Sequence, residues 1–218
     1  MSLTPLQLNG HRIRAVIFDF GEVLSYPPPQ ETIAAISSLL HVTPDKFREF
    51  YYAERHRYDR GELTPEQYWQ AVARDAGTRL TAENIEWLRR TDVEMWSQVN
   101  PQMLEWAAQL RSQGVQTAVL SNMHADMVKS LRANLAWIRD FPCVVLSAEV
   151  GFAKPDAEIY QHCLTCLQVP AGEALFIDDK PRNTQAAEGL GIAAICAAAP
   201  ERIREQLQEA GWSGPLPK

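Results

Sequence analysis

The segment Ala15-Val16-Ile17-Phe18-Asp19-Phe20-Gly21-Glu22-Val23-Leu24 constrains the fold more than any other. An apolar run that ends at one carboxylate reads as a strand buried on both faces of a parallel sheet. A carboxylate at the carboxyl end of such a strand stands where open α/β sheets receive ligands, at the edge where strand order reverses. The rest of the chain agrees with such a sheet. Apolar runs at 115–120, 143–146, 174–177 and 192–196 alternate with helical patterns at 103–113, 124–138, 156–167, 183 to 189 or 191, and 201–210. This alternation makes βαβ units and a mostly parallel, doubly wound α/β core.

Tyr26-Pro27-Pro28-Pro29 interrupts regular structure, and the next 70 or so residues are helical in pattern. Helices are expected over 32–40, over 44–58 with Thr43 as N-cap ahead of Pro44, from Pro65 behind Thr64, and from Thr81 towards Trp96. The chain divides on this reading into an α/β core of residues 1–27 and 99–218 and an inserted helical unit of residues 28–98. Trp69, Trp87, Trp96 and Trp106 suit the core of that unit and its junction. The Pro/Gly-rich tail after Gly211 is expected to be loosely ordered.

The strand ends carry the chemistry: Asp19, then Ser121-Asn122, then the acidic pair Asp178-Asp179. Between the last two, Gly151-Phe152-Ala153-Lys154-Pro155 offers a lysine just before a helix. Strands of a parallel sheet end at one edge, so residues 160 positions apart can converge. Three carboxylates together repel one another, and a divalent cation relieves this; hard oxygen ligands with room for water and phosphate are what Mg²⁺ prefers. Lys154 and the Ser121 hydroxyl could hold a phosphate against the metal. One carboxylate beside such a phosphate suits attack through an aspartyl-phosphate, with water completing the cycle.

These residues resemble the motifs of the haloacid dehalogenase-like hydrolase superfamily, and the resemblance covers nearly the whole chain. The first motif, an apolar strand ending D-x-D-x-[TV], stands here as Asp19-Phe20-Gly21-Glu22-Val23. Val119-Leu120-Ser121 matches the second, Lys154 of Gly151–Asp156 the third, and Phe176-Ile177-Asp178-Asp179 the fourth, with Asn183 and Gly189-Leu190-Gly191 downstream. Each motif alone is weak, and four in order are strong. The resemblance implies that Asp19 is the nucleophile and an Mg²⁺ ligand, that Gly21 lends its carbonyl to the metal, and that Asp179 is the third ligand. Asp178 would stand close behind as an indirect or water-mediated partner, with Asn183 accompanying the motif. Ser121, Asn122 and Lys154 would hold the phosphate. The insertion occupies the place of a helical, C1-type cap, with Phe20, Tyr26 and Tyr58–Glu62 as its substrate-facing candidates.

One position departs from the pattern. The family's second aspartate, which protonates the leaving oxygen, is replaced by Gly21, as in a phosphatase-like branch that includes sugar-phosphate phosphatases. General acid–base catalysis contributes about 10² to 10⁴ in rate. Glu22 is the nearest substitute, although side chains one apart in an extended segment point to opposite faces. Alternatively the cap or the substrate supplies the proton, or the substrates carry good leaving groups such as anomeric or aryl phosphates; the last is favoured.

The expected function is Mg²⁺-dependent hydrolysis of a small phosphomonoester, a sugar phosphate among the candidates. A dehalogenase is the alternative enzyme, disfavoured because halide displacement does not need the Asp178-Asp179 pair. A non-catalytic binder of phosphorylated ligands is the alternative of another class. A phosphoreceiver domain carries its acidic pair first and its single aspartate later, the reverse of this order. The net charge of −6 gives no reason to expect nucleic-acid or anionic-membrane binding. No apolar run reaches the roughly 18 residues of a membrane span, and residues 1–14 lack the apolar core of a signal peptide, so a cytoplasmic monomer or homodimer is expected. Cys143, Cys163, Cys166 and Cys196 read as reduced thiols, the Cys163/Cys166 pair packing a helix. His41, His56 and His124 read as surface or cap residues, and Arg55-His56-Arg57 as a solvated helix face.

Overall fold

The computed structural model describes residues 5–218. A hairpin the sequence reading did not anticipate comes first: β1 (Leu6–Leu8) pairs antiparallel with β2 (His11–Ile13). Asn9 and Gly10 between them both take left-handed φ values, 49° and 78°, the turn that an Asn-Gly pair favours. The chain then enters β3 (Ala15–Phe18), whose four residues have no exposed surface. Burying such side chains contributes about 1.5–3 kcal/mol for each large one.

A single tight turn, Phe20–Leu24, follows, and then the helical segment: α1 (Gln30–Leu39), α2 (Pro44–Ala53), α3 (Arg55–Asp59), α4 (Pro65–Asp75) and α5 (Ala82–Trp96). Thr43, Thr64 and Thr81 cap α2, α4 and α5 as expected, each hydroxyl accepting from a backbone N–H. The single helix expected over 44–58 is instead α2 and α3, broken at Glu54. Ile36, Phe47, Tyr68, Trp69 and Leu88 are among the residues that make this segment's own apolar core.

After α6 (Pro101–Ser112) the chain alternates: β4 (Gln116–Ser121), α7 (Ala125–Asn134), β5 (Cys143–Leu146), the one-turn α8 (Ser147–Val150), α9 (Ala157–Leu167), β6 (Ala174–Asp178), α10 (Pro181–Gly189), β7 (Ala193–Cys196) and α11 (Pro200–Glu209). The helix expected over 124–138 is α7 followed by a tighter turn at Ala136–Asp140. The described residues form a five-stranded parallel sheet in the order β5-β4-β3-β6-β7. The doubly wound α/β reading therefore holds. Alternate residues of β3 face opposite layers: Val16 and Phe18 join Trp106, Leu110 and Ile203, while Ala15 and Ile17 join Ile159, Tyr160 and Cys163. Chain order puts β3 in the middle with β4 and β6 as neighbours, so the reversal of strand order lies beside Asp19.

Two expectations are corrected. The tail after Gly211 is packed: Ser213 exchanges hydrogen bonds with the backbone of Gln7, and the Pro215 carbonyl accepts from the indoles of Trp106 at 2.7 Å and Trp212 at 2.9 Å. The indoles make the difference, because each buries a ring and needs one acceptor, which the tail supplies. Cys143 on β5 and Cys166 on α9 are joined in a disulfide, their Cα atoms 6.0 Å apart, so of the four cysteines only Cys163 and Cys196 are free thiols. Twenty-three residues separate the pair, and only the packing of α9 on β5 brings them together. Cys163 is buried in the helix as expected. No helix among the described residues is long and apolar enough to cross a membrane.

Candidate active site

β3 delivers Asp19 to the sheet edge, and the turn that follows has a defined form. The Asp19 carboxylate accepts from the N–H of Phe20 at 2.6 Å, and the Ser25 N–H closes the turn on the Phe20 carbonyl at 2.8 Å. Gly21 is extended (φ −64°, ψ 128°) and Glu22 is left-handed (φ 61°). The turn does reorient Glu22, but into a separate cavity lined by Pro27, Pro28, Phe47 and Arg48 rather than the one over Asp19.

β6 ends at Asp178, and the loop before α9 brings Lys154 between the two strands. The Lys154 ammonium is 2.8 Å from Asp19 and 2.6 Å from Asp178, with only 1% of its side chain exposed. Both oxygens of Asp178 are engaged, by Lys154, by the Lys180 N–H at 2.8 Å, and by the Asn183 amide at 2.9 and 3.0 Å. Asp179 differs: its Oδ1 is buried without a hydrogen-bond partner. Asp19, Asp178 and Asp179 each present an oxygen within 4.8 Å of the others.

Charge follows this geometry. Burial raises the Asp19 carboxyl to about 6 against the pull of Lys154, and the other carboxylates add to the rise. Asp178 is also buried, but Lys154 and its hydrogen bonds more than offset that, and it is held below the usual carboxylate range. Burial raises Asp179, opposed in part by Lys180. Burial disfavours the Lys154 ammonium, yet Asp178 and Asp19 hold its pKa above the ordinary lysine value. Three carboxyl groups with one unpartnered buried oxygen suit a hard divalent cation such as Mg²⁺.

Ser121 ends β4 and lines the same cavity, of about 330 Å³, as Asp19, Gly21, Asn122, Lys154 and Asn183. Asn122 clamps the lysine loop, its Oδ1 accepting from the Lys154 N–H at 2.7 Å and its amide donating to the Lys154 carbonyl at 2.8 Å. Asp19, Gly21, Ser121, Asn122, Lys154 and Asn183 thus share one cavity, and Asp178 and Asp179 stand beside Asp19.

The far wall comes from α2, α3 and α5: Tyr51, Tyr52, Arg55 and Trp96, with Met123 and Met127 at one side. Among the substrate-facing candidates, Phe20 and Asp59 line the cavity and Tyr26 does not. Arg55 is not solvated: it is buried against Asp59 at 2.9 Å and Asp92 at 3.2 Å, and it also donates to the Tyr51 hydroxyl. His124 is fully buried rather than a surface residue, stacked on Tyr58 at 4.7 Å and 3.3 Å from Asp92, with neither ring nitrogen in a hydrogen bond among the described residues. Burial lowers its pKa below the ordinary histidine value. Lys180 and Arg182 also reach the cavity. Sequence reasoning missed both, although Lys180 directly follows the acidic pair.

The chain is similar to several known proteins. Mouse acyl-CoA dehydrogenase family member 10 is 30% identical over 92% of this chain, which spans 19% of that protein. Sesquiterpene phosphatase astK of Aspergillus oryzae is 26% identical over 84% of this chain and 88% of its own length. A haloacid dehalogenase family enzyme of Bacteroides thetaiotaomicron, solved as a mutant with magnesium and inorganic phosphate, superposes with a TM-score of 0.67 at 20% identity over 84% of this chain and 93% of its own. The model of the haloacid dehalogenase-like hydrolase family matches residues 13–191, and the chain belongs to that family of hydrolases.

Proposed function

We propose that the protein is a Mg²⁺-dependent phosphatase of small phosphomonoesters, with Asp19 as nucleophile. The observation that carries this is the trio Asp19, Asp178 and Asp179 around a buried Lys154, with one Asp179 oxygen left free. Asp19, the Gly21 carbonyl and Asp179 would hold the cation, with Asp178 and Asn183 steadying Lys154 from behind. When bound, Mg²⁺ neutralises charge on the phosphate and on the carboxylates. The similarity to a sesquiterpene phosphatase favours phosphate esters over other hydrolase substrates.

The chain's own groups account for the remaining demands. Ser121, Asn122 and Lys154 orient the phosphate so that one Asp19 oxygen lies in line with the departing oxygen. Lys154 keeps its proton and acts as a fixed positive charge, not an acid. The Asp19 oxygen forms a bond to phosphorus as the ester P–O bond breaks. Water then attacks the aspartyl-phosphate, releasing phosphate and regenerating the carboxylate. The helices of residues 28–98 act as the cap of the α/β core, excluding bulk water and selecting the ester's alcohol.

Halide displacement from carbon does not need a metal-binding acidic pair, and the unpartnered Asp179 oxygen weighs against a dehalogenase. The test is phosphate release from an aryl phosphate, with and without Mg²⁺, for the wild type and Asp19→Asn. Metal-dependent release that falls to background in the variant supports the reading. A folded, Mg²⁺-binding wild type that releases no phosphate from any ester would make the protein a binder of phosphorylated ligands instead.

A further inference from the structure

The cavity wall opposite the nucleophile narrows the substrate class, an inference that rests on the phosphatase reading. Gly21 leaves no acid two residues after Asp19, and an aromatic ring borders that space. A Cβ on Gly21 would touch the Trp96 ring at 3.4 Å, with further ring atoms at 3.7 and 4.0 Å. The indole is fixed there: its N–H donates to the Tyr51 hydroxyl at 3.1 Å, and that hydroxyl donates to the buried Asp92 at 2.6 Å. An aromatic ring therefore lies against the position where the side chain of a proton donor would begin.

Most of the cavity's other polar groups are already engaged, the buried Asn183 Oδ1 and the half-buried His56 ring excepted. Arg55 and Asp59 pair with each other, Asn122 is bound at both ends to the Lys154 backbone, and the Asn183 amide donates to Asp178. Lys180 and Arg182 offer positive charge, which suits a phosphate and not a neutral hydroxyl. A site that selects a sugar presents unpaired hydrogen-bonding groups to its hydroxyls. This wall presents rings and thioethers. Tyr52 packs edge-on to Tyr51 at 5.1 Å and is 48% exposed, one of three large apolar side chains so exposed among the described residues and the one that lines this cavity. Met123 and Met127 add polarisable sulfurs, which favour contact with aromatic rings.

We infer that the substrates are monophosphate esters of phenols, bound with the ring against Trp96 and Tyr52. The two features point to the same chemistry. A flat apolar ring fits the wall, and a phenol-type oxygen, with a pKa of about 10, departs as the anion without a donor, whereas an alkoxide does not. The Asp19 carboxylate attacks phosphorus, the P–O(aryl) bond breaks, and the electron pair leaves with the phenoxide, which takes a proton from solvent. Water then cleaves the acyl phosphate, so that aryl phosphate and water become phenol and inorganic phosphate.

The experiment compares kcat/KM for phenyl phosphate, cyclohexyl phosphate and glucose 6-phosphate, all with Mg²⁺, in the wild type, Asp19→Asn and Tyr52→Ala. kcat/KM reports the steps through phosphoenzyme formation, so slow hydrolysis of the intermediate does not mask the leaving group. Phenyl phosphate should exceed cyclohexyl phosphate, a ring of similar size, by about 100-fold or more, the contribution of an absent general acid. Tyr52→Ala, at an exposed position, should raise KM for phenyl phosphate about tenfold. Substituted phenyl phosphates should react faster as the pKa of the phenol falls. Asp19-dependent hydrolysis of the cyclohexyl or sugar ester at a rate equal to the phenyl ester would overturn the inference and leave the phosphatase reading standing. If the folded, Mg²⁺-binding protein hydrolyses none of the three, the phosphatase reading fails and the inference falls with it.

Discussion

Lys154 is an ammonium group inside the protein with carboxylates on both sides, 2.8 and 2.6 Å away. Removing one partner of such a set leaves uncompensated charge, at a cost of about 3–5 kcal/mol. Lys154→Met should lose stability on that scale in urea titrations and lose turnover as well. Saturating Mg²⁺ should recover part of the stability, because a cation held by Asp19 and Asp179 restores part of the lost positive charge. The Asp19 carboxyl, raised by burial to about 6, gives a second expectation. A cation binds the ionised form, so a proton competes for the site once the pH falls through about 6. Calorimetry should show Mg²⁺ affinity weakening below that pH, with proton release on binding that vanishes near pH 8. A binding constant unchanged between pH 5 and 8 would remove Asp19 from the ligand set.

The capped helix starts and the strands of the parallel sheet were legible because they depend on near neighbours in the sequence. Thr64 caps α4 through a reciprocal pair of hydrogen bonds with Gln67, both visible as a T-P-E-Q string. Thr64→Ala should cost about 1 kcal/mol, read as a shift in the denaturation midpoint. The five strands of the parallel sheet were placed to within a residue or so, since unbroken apolar runs admit few other readings, and the four motif elements followed from them; the hairpin of β1 and β2, three residues each, was missed. The environment of Arg55 and His124 was not legible. Arg55 sits in an R-H-R string that reads as solvated, and its burial depends on Asp92, 37 positions on, from another helix. His124 meets the same Asp92 from the start of α7. Its depressed pKa has a definite sign. Below the ordinary histidine value of 6.5 the unfolded chain takes a proton that the folded chain resists, so stability declines as the pH falls from 6.5 towards the folded value. His124→Phe, which can keep the stack on Tyr58, should flatten the pH dependence of stability over that range.

The helical segment and the sheet layers touch through few polar links. The Ser147 hydroxyl donates to the Asp59 carbonyl at 2.5 Å and accepts from the Met123 N–H at 2.8 Å, while Arg89 grips both oxygens of Asp126. Trp96 packs against the apolar cores of both parts. Trp96→Ala should therefore uncouple them, turning one calorimetric transition into a broadened or double one; a single sharp transition in the variant would count against that coupling. The strand order carries a consequence for how the molecule is made. β3 is the earliest strand of the sheet in chain order yet lies at its centre, and its partners β4 and β6 begin about 100 and 160 positions later. Until residue 178 has left the ribosome, this fully buried strand keeps at least one open edge. Contacts of such long separation form slowly, and an unpaired apolar edge invites wrong partners. The position of Asp19 is thus settled only after most of the polypeptide exists. Truncated or stalled chains should be insoluble rather than partly active.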